Sequence, residues 1–249
     1  MPQRTVRIDL AYDGTNYFGW QRQNHQITVQ EKIEKAISKI AGEKITVVAA
    51  SRTDSGVHAR QQVASFSLEQ SNIPTHAFVS GANSLLPLDI RVFASKEVSL
   101  KFHANRDASH KVYRYFVWNH PKENVFLRHY AWMIRKPLEW SEMRYAANQM
   151  LGKHDFSSFR TGEPSTRTSI RKIDRIRFFK VMPHLYCLEF QGNGFLRHMV
   201  RNLVGLLVDI GLEKRNASAV KSILKAKRRT ASGTSAPSQG LVLWRVSYL

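Results

Sequence analysis

The sequence predicts an α+β protein of two related halves, with mixed, mostly antiparallel sheets flanked by helices. Three observations lead to this fold class. Several segments alternate apolar and polar residues at the period of a strand, and other segments repeat apolar residues at the period of a helix. Both types of segment occur in both halves, without the regular strand-helix alternation that a parallel sheet requires.

The first half, residues 1–105, begins with a strand and then a helix. Residues 6–12 alternate apolar with polar or small side chains, which is typical of a half-buried strand. Thr28 and Glu31 form a capping box that starts a helix, and Gly42 ends it. Further strands are predicted over residues 45–50, 63–68 and 90–94.

The second half, residues 106–249, repeats the mixture of elements. Residues 111–119 are rich in aromatic and β-branched side chains and predict a strand. Residues 173–179 and 185–190 predict a hairpin around Pro183 and His184. The remaining predictions are a helix from Ser141 to Gly152, an apolar helix over 199–211, a short basic helix from Asn216, and a strand over 241–246.

Two polar segments, residues 160–171 and 225–240, predict loops. Both are basic, and the second also has a Ser/Gly/Ala/Pro tail. A flexible solvated loop and a loop that contacts a nucleic-acid backbone are equally good interpretations of each.

The charge of the chain indicates its partner. The 249 residues include 38 Lys+Arg and 19 Asp+Glu, which gives a formal net charge of +19. A field of that sign attracts polyanions. Nucleic acid is the first candidate, an anionic membrane the second, and high solubility alone the third.

The sequence shows few signs of export, metal binding or membrane insertion. Cys187, the single cysteine, lies in an apolar stretch and is interpreted as a small buried hydrophobe. No Cys/His pair has zinc-ligand spacing, so we expect no metal. The longest apolar run, residues 199–212, contains charged residues and is too short to cross a bilayer. We therefore expect a cytoplasmic protein without a membrane segment.

The most informative segment for chemistry is residues 50–59, between two predicted strands. Its carboxylate, Asp54, follows Arg52 by two residues and precedes Gly56 by two. A neighbouring cation keeps a carboxylate ionised, and glycine permits a tight turn or a close ligand. From the residues alone, a plain turn and a catalytic loop both remain open.

A family resemblance favours the catalytic interpretation. Residues 52–59 (RTDSGVHA) resemble the RTD[AS]GVHA signature of TruA-type pseudouridine synthases, although Ser51 stands where that family usually has glycine. Six further motifs of the family match in order, at residues 12–23, 29–31, 102–104, 111–115, 152–160 and 195–205.

The resemblance implies the pseudouridine synthase fold and assigns roles to four residues. Asp54 would be the essential carboxylate, and Arg52 would enter the RNA where the target base has been flipped out. Tyr113 would pack on the target uridine, with Tyr115 as a weaker candidate. Arg201 would pair with Asp54 and keep it ionised.

Two stretches correspond to RNA-contacting segments of the family. Asn105 departs from the family pattern, which has arginine at that position. The predicted RNA-contacting residues are Phe102, His103, Ala104, Asn105, Arg106, Glu163, Pro164, Ser165, Thr166 and Arg167.

The implied function is isomerisation of uridine to pseudouridine in the anticodon stem-loop of tRNA, at tRNA positions 38–40, by a homodimer without a cofactor. Asp54 would attack C1′, add to C6 or remove the C2′ proton, and the sequence leaves these three open. A catalytically silent RNA-binding protein is the second hypothesis. A hydrolase using Asp54 is the third, although no accompanying metal cluster or second carboxylate stands out.

Overall fold

A computed structural model describes residues 3–69, 72–162 and 168–249. Its regular elements are β1 (Arg4–Tyr12), α1 (Val29–Ala41), β2 (Val48–Ala49), β3 (His58–Leu68), α2 (Ala77–Leu85), β4 (Ile90–Val98), β5 (Ala108–Asn119), β6 (Trp132–Ile134), α3 (Trp140–Asn148), β7 (Gly152–Asp155), β8 (Ile170–Met182), β9 (Leu185–Gly192), α4 (Met199–Gly211), α5 (Val220–Ala226) and β10 (Leu241–Tyr248). The chain divides into two compact units. The first is Met1–Ser109 with Val242–Leu249, and the second is His110–Leu241.

The first unit is built on a mixed sheet. Strand β1 pairs antiparallel with β3 on one side and with β4 on the other. Strand β2 also pairs antiparallel with β3, whereas β10 pairs with β3 in parallel through Val242 and Leu243. Helices α1 and α2 pack together because Gly81 of α2 leaves room for the side chain of Ile40. The sheet and helix interiors are apolar, with Ile8 and Ile37 fully buried.

The second unit contains strands β5 to β9 and a helix, α4, that is more buried than α1. Strand β9 lies between β5 and β8 in antiparallel pairing, β7 continues beside β8, and β6 pairs with β5 in parallel. Helix α4 is buried along nearly its whole length and packs against α3. Such an all-round apolar helix belongs in the core of a unit rather than on its surface.

The predicted α+β class is confirmed, together with several predicted boundaries. The Thr28 hydroxyl accepts a hydrogen bond from the backbone N–H of Glu31 at 3.4 Å. Gly42 adopts a left-handed conformation, with φ 73°, and its N–H donates to Ser38, which ends α1. Cys187 is buried as predicted, and burial raises the pKa of its thiol to about 12.

The strand predicted over residues 45–50 is mostly wrong. Only Val48–Ala49 forms a strand, because side chains of α1 bind the backbone before it. The Ser38 hydroxyl accepts from the N–H of Ile45 at 2.9 Å, and the Glu34 carboxylate accepts from the N–H of Val47 at 3.0 Å. These donors are satisfied without a neighbouring strand.

The helix predicted from Ser141 to Gly152 is shorter and begins earlier. Helix α3 starts at Trp140, whose ring stacks on Tyr186 at 4.2 Å between centroids. Packing of this indole, rather than a serine cap, fixes the first turn. Gly152, with φ 93°, begins β7 instead of ending the helix.

The segment 225–240 is exposed over residues 225–228 and partly buried from residue 229 onward, so its second part is not fully solvated. Ser232 and Ala236 are buried, and two short 3-10 turns cover Arg229–Ser232 and Ser238–Gly240. Among the helices of the described residues, none has both the length and the apolar character needed to cross a membrane.

Candidate active site

The candidate catalytic residue Asp54 lies in a turn between β2 and β3 of the first unit. Residues 50–57 form this turn, which we call the Asp54 turn. Thr53 and Val57 are buried in it, Asp54 is half-buried, and Arg52 is exposed. The neighbours of Asp54 therefore anchor the turn, whereas Asp54 itself is half-buried.

Neutral hydrogen bonds fix the turn on the side before Asp54. The Tyr12 hydroxyl and the Thr53 hydroxyl are 2.7 Å apart and buried. The Gln62 amide donates to the carbonyl of Ser51 at 2.7 Å and accepts from the N–H of Ser51 at 3.2 Å. Buried hydrogen bonds of this kind define one backbone path. Ser51 does not have a positive φ, so serine fits where the resembling family has glycine.

Two glycines allow the segment after β1 to wrap closely around the Asp54 turn. A Cβ on Gly14 would lie 2.0 Å from the carbonyl oxygen of Val57. A Cβ on Gly19 would lie 2.6 Å from the carbonyl oxygen of Thr53, and Gly19 has φ 82°. Only glycine permits this approach of two backbones. In addition, the Trp20 N–H donates to the carbonyl of Thr53 at 3.0 Å.

Tyr113 lies on β5 in the second unit. It is only 6% exposed, and its ring meets the ring of Phe195 edge to face, with centroids 5.2 Å apart. Its partner across the strand pair is Phe190. Tyr113 is thus held in one orientation, as a stacking platform must be.

Arg201 is the third residue of α4 in the second unit. Its Nε donates to the carbonyl of Ala236 at 2.8 Å, and the N–H of Ala236 donates to the carbonyl of Arg201 at 3.0 Å. This mutual contact is possible because Gly205, one turn further on, has no side chain. A Cβ there would lie 1.9 Å from the carbonyl oxygen of Thr234. The guanidinium is therefore held by the backbone of Ala236, a contact that we call the Ala236 clamp.

The same region contains Tyr115, the weaker candidate. Its hydroxyl donates to the carbonyl of Pro237 at 2.7 Å, and Gly240 packs against its ring. Burial raises the pKa of Tyr115 well above its usual value, and the charge of Arg201 partly opposes that rise. Tyr115 is a fully buried, neutral part of the core, and Tyr113, at 6% exposed, is slightly more accessible.

Lys111 is a residue whose importance the sequence interpretation missed. It is only 6% exposed, and burial, followed by the charge of Arg171, lowers its pKa to about 8. Lys111 precedes Tyr113 by two residues on β5, so both side chains are on the same face. The sequence did contain a signal for this burial. Lys111 is spaced by two and four residues from Tyr113 and Tyr115, so its side chain lies on the same face of the strand.

The predicted RNA-contacting stretch 102–106 forms a compact turn in the first unit. Nδ1 of His103 accepts from the backbone N–H groups of Asn105 at 3.2 Å and Arg106 at 3.3 Å. Asn105 and Arg106 are exposed, whereas Ala104 is fully buried and its carbonyl accepts from the Tyr248 hydroxyl. Phe102 packs on the ring of Tyr248 at 5.1 Å.

The structure groups the candidates by unit. Arg52, Asp54 and the 102–106 turn belong to the first unit, and Tyr113 and Arg201 belong to the second. The other predicted RNA-contacting residues, Glu163, Pro164, Ser165, Thr166 and Arg167, lie outside the described residues.

Comparison with known proteins decides the family. A family model described as tRNA pseudouridine synthase matches residues 10–106 and 146–249. The chain belongs to the tRNA pseudouridine synthase family. It is accordingly an isomerase of that family. The matched residues include Asp54 and Arg201, and Tyr113 lies in the intervening segment.

Curated relatives agree over nearly the full length. The protein named tRNA pseudouridine synthase A from Acetivibrio thermocellus is 41% identical over 245 residues, which cover 98% of this chain and 100% of the relative. The protein of the same name from Thermoanaerobacter sp. is 42% identical over the same shares. That from Colwellia psychrerythraea is 42% identical over 97% of this chain and 92% of its own.

Proposed function

We propose that this chain isomerises uridines of the tRNA anticodon stem-loop, at tRNA positions 38–40, with Asp54 as the catalytic carboxylate. The observation that carries the proposal is the Asp54 turn itself. Its backbone is fixed by Tyr12, Gln62 and Trp20, while Asp54 as a residue is half-exposed. A preset carboxylate lowers the barrier because little ordering remains when substrate binds.

The chemistry of the reaction requires little more than such a carboxylate. The N1–C1′ glycosidic bond of uridine breaks, the uracil turns, and C5 of uracil bonds to C1′ of the sugar. C5 then loses its proton, and N1 gains one. Atoms and electrons balance without an added group, so we propose that no cofactor takes part. Attack on C1′, addition to C6 and removal of the C2′ proton all use an ionised aspartate, and all three remain compatible with Asp54.

The other candidate residues would contact the extruded nucleotide, the gap that it leaves in the stem, or Asp54. A base inside a stem is not accessible, and extrusion costs a few kcal/mol. We propose that Tyr113 packs on the extruded uridine and that Arg52, which is exposed beside Asp54, occupies the vacated stack. Arg201 would pair with Asp54 and keep the carboxylate ionised, since its guanidinium is fixed by Ala236.

The charge of the chain supports a large polyanionic substrate. A net charge of +19 favours capture of tRNA and predicts strong salt dependence. We propose that two copies act together on tRNA in the cytoplasm, since a dimer would double this charge. The exposed Asn105 and Arg106 are suited to phosphate contacts.

The deciding experiment uses unmodified tRNA transcript without metal or nucleotide. Wild-type protein should form pseudouridine, and Asp54→Asn should lose turnover by at least about 1000-fold while keeping its affinity for tRNA. Glu123→Gln, which removes a carboxylate exposed to solvent, should remain active. Pseudouridine formation by Asp54→Asn at the wild-type rate would refute the role of Asp54.

Two further measurements separate the finer claims. Wild-type protein that binds tRNA tightly but forms no pseudouridine would support the hypothesis of a silent RNA-binding protein. Mapping of the modified positions tests the anticodon assignment. Modification confined to positions outside 38–40 would refute that assignment and leave the family reaction intact.

A further inference from the structure

Two large apolar side chains are exposed at the base of the loop between β1 and α1. Phe18 is 51% exposed and Ile27 is 53% exposed. The N–H of Phe18 donates to the carbonyl of Ile27 at 2.9 Å, which places the two residues side by side. We call this pair the Phe18–Ile27 ridge. Exposed apolar side chains that lie side by side form a candidate contact surface.

The ridge is rigid. The Gln23 amide donates to the carbonyl of Phe18 at 3.0 Å, so both backbone polar groups of Phe18 are bonded. The loop beyond it is tied to α1, because Arg22 pairs with the buried carboxylate of Glu34 at 2.5 Å. A backbone that is already fixed loses little conformational entropy when the ridge binds a ligand.

The ridge is also joined to the Asp54 turn. The carbonyl of Tyr17 accepts from the N–H of Gly56 at 3.3 Å. On the other side of Phe18, Gly19 packs against the backbone of Thr53 and Asp54. Both chain neighbours of Phe18 therefore contact the turn that carries the candidate carboxylate. Since adjacent Cα atoms are about 3.8 Å apart, the Phe18 ring lies within one nucleotide's reach of that turn.

The surroundings of the ridge are suited to RNA. Arg52 is exposed in the adjoining Asp54 turn. The loop that contains the ridge also exposes four polar or basic residues, Arg22, Gln23, Asn24 and His25. Aromatic rings flanked by cations are typical of surfaces that stack bases and hold phosphates. Apolar side chains that enter a base step also hold it unstacked.

We propose that Phe18, supported by Ile27, packs on a base next to the target uridine and stabilises the unstacked state of the anticodon stem-loop. This inference rests on the proposed function. Phe18 is then a positioning residue for RNA, distinct from Tyr113, which contacts the uridine itself. Its contribution should be largest when the target uridine begins in a base pair, because the cost of extrusion is then greatest.

The test measures single-turnover pseudouridine formation and tRNA affinity for four variants. Phe18→Ala should slow the reaction by about 5- to 150-fold, the equivalent of one lost base stack. Phe18→Trp should restore most of the rate, whereas Phe18→Leu, which lacks a flat face, should stay slow. Phe93→Ala, which removes an equally exposed ring from β4 (50% exposed), is the matched control and should react like wild type.

A second substrate sharpens the test. In a transcript with a mismatch opposite the target uridine, the deficit of Phe18→Ala should shrink to less than about 3-fold, since extrusion is already easy. All variants should melt within about 2 °C of wild type, because the altered side chains are exposed.

Three outcomes would overturn the proposal. Phe18→Ala could react as fast as Phe93→Ala, Phe18→Leu could match Phe18→Trp, or the rate could stay unchanged while the oligomeric mass falls. The last result would assign the ridge to a protein contact. Wild-type protein that forms no pseudouridine on either transcript would instead refute the proposed function, so the two failures are distinguishable.

Discussion

The Asp54 turn and the start of α4 hold their candidate residues by different means. The turn in the first unit relies on neutral groups, namely the Tyr12–Thr53 hydroxyl pair and the Gln62 amide. In the second unit, α4 holds a cation, Arg201, and the strand β5 buries another, Lys111. Neutral bonds need no charge to be desolvated, whereas a buried cation does. The difference predicts that pH sensitivity of stability at neutral to basic pH belongs to the second unit.

Each of the two regions contains a glycine that a backbone carbonyl group approaches so closely that a Cβ atom would clash with it. In the first unit the carbonyl of Val57 packs against Gly14, and in the second unit the carbonyl of Thr234 packs against Gly205. In the first unit the contact joins two loops, but in the second it joins a loop to a buried helix. A loop relaxes more easily than a buried helix, so equal clashes should have unequal costs.

The largest expected effect is therefore that of Gly205→Ala. The new methyl group would lie 1.9 Å from a backbone oxygen, so α4 or the segment 234–236 must move. We expect a loss of about 3 kcal/mol in the free energy of unfolding, the upper part of the range for overpacking, measured by urea titration. The loss of the Ala236 clamp should also lower turnover.

Gly81→Ala in α2 is the matched control for that variant. The three nearest atoms to its methyl group would all belong to the side chain of Ile40, the first at 3.1 Å, and alanine favours a helix. We expect a change below about 1 kcal/mol. Equal losses for the two variants would show that backbone contact does not decide the cost.

Gly14→Ala should affect activity more than stability. The Val57 carbonyl has to retreat, and the N–H of Val57 donates to the carbonyl of Asp54 at 3.1 Å, so Asp54 shifts with it. We expect about a 100-fold loss of turnover, since displacement of a reacting group by about 1 Å costs that much, with about 2 kcal/mol of stability.

Gly42→Ala tests the effect of backbone strain without displacement of a neighbouring segment. Gly42 has a positive φ, unlike Gly14, and among the described residues no neighbouring atom lies within 4 Å of the point that an alanine methyl group would occupy. This variant should lose about 1 kcal/mol and retain wild-type turnover. If it lost turnover as Gly14→Ala does, the link between Gly14 and Asp54 would be wrong.

The third prediction concerns pH and Lys111. Burial lowers the pKa of Lys111 to about 8, against 10.5 in the unfolded chain. Above pH 8 the folded state loses this proton first, so the unfolded state binds more protons and the free energy of unfolding rises with pH. Between about pH 8 and 9.5 the rise due to Lys111 should be about 1–2 kcal/mol.

Lys111→Met should abolish that rise, as measured by urea titration at each pH. Only the slope is compared, because the substitution also changes packing. Arg171→Gln is a useful companion, since removal of the neighbouring charge should move the rise to higher pH. A slope that persists unchanged in Lys111→Met would assign the pH dependence to another group.

Local patterns predicted most of the elements because the responsible interactions are local. The Thr28 cap, the left-handed Gly42 and the strand alternation of β1 each involve residues close in sequence. The failures have tertiary causes. Residues 45–47 form no strand because Ser38 and Glu34 bind their backbone, and α2 was not predicted because its N-terminus has no side-chain cap.

The candidate site was predictable in its residues but not in its support. The family motif names Asp54, but the hydroxyl of Tyr12 and the amide of Gln62 reach its turn only through strand pairing. The burial of Lys111 likewise depends on β9 and on Arg171, which are distant in sequence. The sequence shows only that Lys111 is in phase with two tyrosines of β5, and it does not show these long-range contacts.

The smallest predicted effect tests the neutral bonds of the Asp54 turn. Tyr12→Phe removes the hydroxyl that lies 2.7 Å from the buried Thr53 hydroxyl. We expect about 1 kcal/mol of lost stability and a turnover that falls about 3- to 10-fold at unchanged tRNA affinity. Tyr17→Phe makes the same chemical change at a hydroxyl that donates to Asp89 at 2.6 Å. The substitution leaves in place the Tyr17 carbonyl, which accepts from the N–H of Gly56 in the turn. Tyr17→Phe should therefore lose stability and keep its turnover, and the opposite ranking would mean that backbone contacts alone position Asp54.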